Sequence, residues 1–298
     1  MRPGALGGVL APIPTPFDAE TGDVAPVQLR RAARHLIGAG LDGVVVAGSA
    51  GESALLDESE KVRAVEWLRE VVPEDRWLVA GTGVESTRAS VRLAVAAAAA
   101  GADAVLVRPP SYFSVLLSPS AIADHYRRVA DASPVPVIVY NIPKFAHVML
   151  QDSTLRALAD HERIAGFKDG SGDLKVFAGF RAALPRASAL MGSGALLYPA
   201  LEMGAAGGVL GVACFAPGPC AQLYAAFRSG DLVRAGALQE RLVPLHKEIV
   251  AGMGPAGIKA AMEAAGLPGG PVRPPLVSVD SRQRARIGEL MAAAGLAA

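Results

Sequence analysis

Cysteine is almost absent from this sequence: Cys214 and Cys220 are the only two among 298 residues. Two thiols cannot build a disulfide framework, and no Cys/His cluster has the spacing of zinc ligands. Charge is also scarce, at 19% of the chain, and it nearly cancels to a net +1. No basic stripe exists to follow a phosphate backbone, so nucleic acid is not an expected partner. Long apolar runs are missing too. The alanine-rich stretch 95–100 lies between Arg92 and Asp103, far below membrane-spanning length. The opening segment, MRPGALGGVLAPIPTPF, is too proline-broken for the apolar core of a signal peptide. Together these absences predict a soluble, cytoplasmic protein with reduced thiols, no metal and no membrane partner.

What the chain does have is apolar mass. Hydrophobic residues make up 51% of it, enough for one large domain or two small ones. Apolar exterior seeks burial, so the low charge content also points to surface covered by other subunits.

A recurring unit organises the sequence. A helical pattern ends in Gly, and an apolar run begins one or two residues later: IGAGLDGVVVAG (37–48), AAAGADAVLVRP (98–109) and LEMGAAGGVLGV (201–212). Glycine suits the left-handed residue that ends a helix. An apolar run without polar alternation reads as a parallel strand buried on both faces. Runs of the same kind at 8–13, 77–81, 135–141, 164–168 and 187–191 bring the strands to eight. Between them lie helical patterns, such as the stripe Leu29, Ala32, Ala33, Leu36 and Ile37. Asp57 with Glu60 predicts a capping box, and Ser118-Pro119 an N-cap followed by proline in the first turn. Eight alternating units predict an α/β protein, a (β/α)8 or TIM barrel over residues 1–216. Residues 217–298 then continue as helices at 219–229, 232–250, 255–265 and 281–294. They are expected to pack on the barrel as part of the same structural unit.

In such barrels chemistry sits at the C-terminal ends of the strands. Lys168 stands out there. The chain has only six lysines among 29 basic residues, and this one closes the apolar run 164–167 and so points into the barrel mouth. A neutral amine in a desolvating mouth can attack a carbonyl carbon. The competing reading pairs it with the neighbouring Asp169. Gly48-Ser49-Ala50-Gly51-Glu52 follows the second strand. Its glycines let backbone N–H groups converge on a carboxylate, or make a plain tight turn with Ser49 as a cap. Tyr140 closes the fifth strand, either to pass a proton or to fill the core. Gly81-Thr82-Gly83 and Gly192-Ser193-Gly194 complete no dinucleotide fingerprint. The histidines at 35, 125, 147, 161 and 246 lack metal-like spacing and read as solvated or capping residues.

GSAGE (48–52), YNIP (140–143) and GFKDGSGD (166–173), in this order on these strands, resemble the dihydrodipicolinate synthase/N-acetylneuraminate lyase superfamily. The similarity extends over nearly the whole chain and takes in APIPTPF (11–17), GTGVEST (81–87) and GADAVLV (101–107). The resemblance implies a class I aldolase that captures a 2-oxo acid such as pyruvate, with no metal or organic cofactor. Lys168 would form the imine, with Tyr140 as the proton relay and Ser49 ordering it. Gly48, Ala50, Gly51, Gly192 and Val209 would bind substrate. Tyr112 or Phe113 lies where some members send a tyrosine across a dimer interface, and a homotetramer built from dimers is implied.

The lysine-pathway synthases of this superfamily carry an arginine shortly after the YN-x-P segment, to bind the aldehyde's carboxylate. Phe145 stands at that position here, with Lys144 one residue off. A planar, bidentate guanidinium is not replaced by a point charge without consequence. KDGSGD (168–173), VEST (84–87) and VADASPVPV (129–137) look more like the 4-hydroxy-2-oxoglutarate and sugar-acid aldolases of the superfamily, so the resemblance implies cleavage of 4-hydroxy-2-oxoglutarate or a 2-keto-3-deoxy sugar acid. The alternatives are 4-hydroxy-tetrahydrodipicolinate (dihydrodipicolinate) synthesis and 5-dehydro-4-deoxyglucarate dehydration. Outside this class stand a non-catalytic 2-oxo-acid-binding barrel and a metal-dependent barrel lyase.

Overall fold

The computed structural model describes residues 5–296. Eight strands pair in parallel, each with the next in sequence, and β8 pairs with β1 to close a barrel. They are β1 (Gly8–Ala11), β2 (Gly43–Val46), β3 (Trp77–Gly81), β4 (Ala104–Val107), β5 (Val137–Asn141), β6 (Ile164–Asp169), β7 (Ser188–Met191) and β8 (Gly207–Val209). The outer ring holds α1 (Pro26–Gly38), α2 (Glu58–Arg69), α3 (Thr87–Ala99) and α4 (Pro119–Ala132). It continues with the short α5 (Pro143–Ala146) and α6 (Asp152–Arg156), then α7 (Leu174–Ala183), α8 (Leu197–Glu202) and α9 (Pro217–Arg228). The expected (β/α)8 barrel is thus the fold.

Proline accounts for the two strand ends that differ from expectation by two residues. β1 stops at Ala11 instead of 13 because Pro12 has no N–H for the ladder, and β5 starts only after Pro136. The helix starts are as read: Asp57 and Glu60 form a capping box on α2, and the Ser118 side chain accepts from the Ala121 N–H on α4.

Two apolar layers result from the strand alternation. Inward side chains, among them Leu10, Val45, Val79, Leu106, Ile138 and Leu190, fill the barrel. Outward ones pack beneath the helices. The interior is therefore a solid core, and a ligand has room at the ends of the barrel but not within it. Closure demands glycine where β8 meets β1. Gly207 has φ +153°, and a Cβ there would lie 1.9 Å from the Gly8 carbonyl oxygen. Gly207→Ala is expected to cost about 2–3 kcal/mol, read as a lower midpoint in chemical denaturation.

Beyond the ring, α10 (Leu232–Pro244) runs into a π-helical stretch, Leu245–Ala251, and then into α11 (Gly252–Ala264). Pro244 explains the change from the single helix expected over 232–250. It offers no N–H, and its ring collides with the carbonyl one turn back, so the following hydrogen bonds widen. Gly254, at φ 60° and ψ −146°, kinks α11 just before Pro255. The final helix is α12 (Ser281–Ala293), and Leu242, Ile249, Ile258, Ile287 and Met291 of this extension join the same apolar core as the barrel.

Candidate active site

Strand register places Lys168 of β6 directly beside Tyr140 of β5. Both point inward, where strand alternation carries one residue in two. Lys168 is 6% exposed and Tyr140 5%. The Lys168 Nζ stands 4.2 Å from the Tyr140 ring centroid. Asp169, one residue on, faces the other way. Its carboxylate accepts from Asn141 Nδ2 at 2.7 Å and from the Ser171 hydroxyl at 2.7 Å. Burial holds that carboxyl above its usual range, and the two hydrogen bonds pull back against it. The Lys168–Asp169 pairing considered from the sequence is not made.

Ser49 comes from the opposite side of the mouth, past the end of β2. Its Oγ lies 3.4 Å from the Tyr140 hydroxyl. The 47–52 loop that delivers it is strained, with Ala47 at φ 53° and Glu52 at φ 57°. Several contacts keep it so. The Thr15 hydroxyl donates to Gly51 O at 2.7 Å, and the Ser53 N–H donates to Gly48 O at 3.2 Å. β3 contributes space: a Cβ on Gly81 would sit 2.0 Å from Ala47 O. The N–H groups of Ser49 and Ala50 have no acceptor among the described residues, so they are available to a carboxylate.

These elements surround a cavity of about 220 Å³, lined by Lys168, Tyr140, Ser49, Ala50, Gly192 and Val209 among others. Gly48 faces a second cavity of about 610 Å³, which shares Ser49 and Tyr140 and also holds Lys61, Glu85 and Arg108. Two expected binding residues lie elsewhere. Gly51 turns its carbonyl to Thr15 and lines neither cavity. Tyr112 is 81% exposed, its ring against Phe113, because the Glu85 carboxylate holds its N–H in a loop that leaves the mouth. It makes no part of the cavity in its own chain.

The histidine reading needs correction at two positions. His125 and His246 are not solvated: burial pushes each ring's pKa down to about 4, aided by the Arg108 charge at His125 and the Lys144 charge at His246. His246 lines the smaller cavity together with Ser193, Lys144 and Phe145, a placement that no sequence pattern signals. It stands in the π-helical stretch Leu245–Ala251. Among the described residues no group of three or more His, Cys, Asp or Glu side chains is placed to hold a metal ion. No helix among them is long and apolar enough to cross a membrane.

The model of the dihydrodipicolinate synthetase family matches residues 5–294 of this sequence. The chain belongs to the dihydrodipicolinate synthetase family. The resemblance read from its three motifs is borne out. A 4-hydroxy-tetrahydrodipicolinate synthase of Acidothermus cellulolyticus is 38% identical over 296 residues, 99% of this chain and 94% of that one. An uncharacterized DapA-like lyase of Halobacterium salinarum is 39% identical over 294 residues, covering 99% and 96%. Among solved structures of the dihydrodipicolinate synthetase family, YagE of E. coli K12 in complex with pyruvate superposes with a TM-score of 0.92 at 26% identity. That match covers 98% of this chain and all of that one (100%). The chloride-inhibited dihydrodipicolinate synthase of Acinetobacter baumannii, complexed with pyruvate, gives 0.92 at 27% identity, covering 98% and 100%.

Proposed function

We propose that this protein is a Schiff-base lyase whose Lys168 captures pyruvate or a similar 2-oxo acid. One observation carries the reading: a buried amine beside a phenol that meets a serine hydroxyl, all lining one small cavity. The Lys168 amine adds to the 2-keto carbon, and the resulting carbinolamine loses water to give a protonated imine. That imine draws electrons from C3, so a C3 proton can leave to give an enamine, or a C3–C4 bond can break. Tyr140 moves the protons, with its hydroxyl oriented by Ser49. The free N–H groups of Ser49 and Ala50 take the substrate carboxylate.

The relatives' names favour 4-hydroxy-tetrahydrodipicolinate synthesis over the aldolase preferred from the sequence. A specific feature favours the second reading, cleavage of 4-hydroxy-2-oxoglutarate or a 2-keto-3-deoxy sugar acid. The cavity wall carries Phe145, not an arginine. Purified protein should be assayed for both activities. Condensation with L-aspartate semialdehyde selects the synthase; pyruvate release from 4-hydroxy-2-oxoglutarate selects the aldolase. Neither activity, together with no borohydride-trapped adduct, would leave a non-catalytic barrel.

Exposed apolar residues on the 111–117 loop, Tyr112, Phe113, Val115 and Leu116, support a subunit contact of the kind the expected homotetramer requires.

Tyr140→Phe removes the hydroxyl but keeps the ring beside Lys168. It is expected to lower kcat by about 10²–10⁴-fold, the usual value of a positioned acid/base group, in steady-state assays.

A further inference from the structure

The far wall of the cavity carries a polar pair that the imine chemistry does not use. Ser193, two residues past the end of β7, is 7% exposed. Its Oγ is 3.0 Å from Nε2 of His246. The other ring nitrogen is already committed: the Gly194 N–H donates to His246 Nδ1 at 3.2 Å. An N–H donor at Nδ1 requires that nitrogen to be bare, so the neutral ring carries its hydrogen on Nε2. Nε2–H then donates to Ser193 Oγ, and the serine's own hydrogen is left for another acceptor. Burial keeps the ring neutral well below pH 7, because it pushes the His246 pKa down to about 4.

The pair is held rigidly. Gln239 of α10, itself 7% exposed, donates from Nε2 to Gly194 O at 2.9 Å, and its Oε1 accepts from the Tyr198 N–H at 2.8 Å. His246 stands in the π-helical stretch Leu245–Ala251, and Lys144 Nζ rests on the carbonyl of Ala251 at the end of that stretch. A hydroxyl with a free hydrogen and an ammonium group therefore line the same cavity as Lys168. An oxygen acceptor bearing negative charge suits that combination.

We propose that Ser193, oriented by His246 and helped by the Lys144 ammonium, binds a carboxylate at the acceptor-derived end of the substrate. The enzyme then selects acceptors ending in a carboxylate over uncharged aldehydes. Ser193 determines specificity, and His246 is a positioning residue. The proposal rests on the imine reading above and adds to it the substrate class. It also gives the C-terminal extension a task that the barrel alone cannot perform.

The test compares glyoxylate with acetaldehyde as acceptors for pyruvate, using wild-type enzyme, Ser193→Ala, His246→Leu and His246→Gln. Wild type is expected to prefer glyoxylate. Ser193→Ala should raise the KM for glyoxylate about tenfold or more, the usual consequence of losing a hydrogen bond to a charged group. It should lower the glyoxylate-to-acetaldehyde ratio of kcat/KM by a similar factor, while pyruvate is still trapped on Lys168 by borohydride. His246→Leu should reproduce this selective loss. His246→Gln, which keeps an N–H donor and an acceptor, should restore part of it, a rescue that a purely structural role would not give. Wild-type enzyme that traps pyruvate but prefers acetaldehyde overturns the subsite, as do variants that weaken both acceptors equally or neither. Absence of any adduct on the wild type overturns the imine reading itself, and the subsite with it.

Discussion

Lys168→Ala is expected to abolish the borohydride-trapped pyruvyl adduct and to lower kcat/KM by about four orders of magnitude or more. Loss of a covalent nucleophile removes the pathway, not one contact along it, so the residual rate reflects binding and polarisation alone. Intact-protein mass spectrometry after incubation with pyruvate and borohydride reads the adduct directly. The variant should fold. Asp169 is satisfied by Asn141 and Ser171, so removing the amine leaves no carboxylate orphaned. Its far-ultraviolet circular dichroism should match that of the wild type. Full turnover in Lys168→Ala, or an adduct that persists in it, would falsify the Schiff-base reading.

The largest effect on stability is expected from a different lysine. Lys259 of α11 pairs with Glu52 at 2.6 Å, and the two side chains are 2% and 0% exposed. The ammonium also donates to Pro271 O at 2.6 Å and stands 4.4 Å from the Phe17 ring centroid. The other oxygen of Glu52 accepts from the Arg273 N–H at 2.8 Å. Lys259→Met leaves a fully buried carboxylate without its counter-charge, and an orphaned buried charge costs about 3–5 kcal/mol. Glu52 ends the 47–52 loop in a left-handed conformation, so the loop that carries Ser49 loosens with it. A lower denaturation midpoint should therefore accompany a lower kcat. The double variant Glu52→Gln/Lys259→Met separates the causes, since it removes both charges. It should recover part of the stability lost in the single variant, and additive losses would show that the pair is not coupled.

Much of the barrel was legible because its signals are local. β3 spans the same residues, 77–81, that its apolar run marked. The capping box at Asp57 and Glu60 and the N-cap at Ser118 are set by side chains a turn away from the backbone they satisfy. Errors fell where one residue vetoed a longer pattern. Pro12 and Pro136 trimmed strands, and Pro244 turned the last turns of an expected α-helix into a π-helical stretch. That last error hid His246, whose helical neighbours in sequence said nothing about the cavity it would reach.

Sequence by itself determined the repeating strand and helix order, the family, and the inward direction of Lys168, because strand alternation fixes which face a residue takes once its strand is known. Tertiary structure alone decided what shares a cavity with that lysine. Tyr140 stands beside it through the β5–β6 register, Ser49 comes across the mouth to Tyr140, and His246 lines the cavity from the C-terminal extension. Closure of the barrel makes neighbours of residues that no local period relates, and Gly48 and Gly51 of the GSAGE motif stay outside the cavity that holds Lys168.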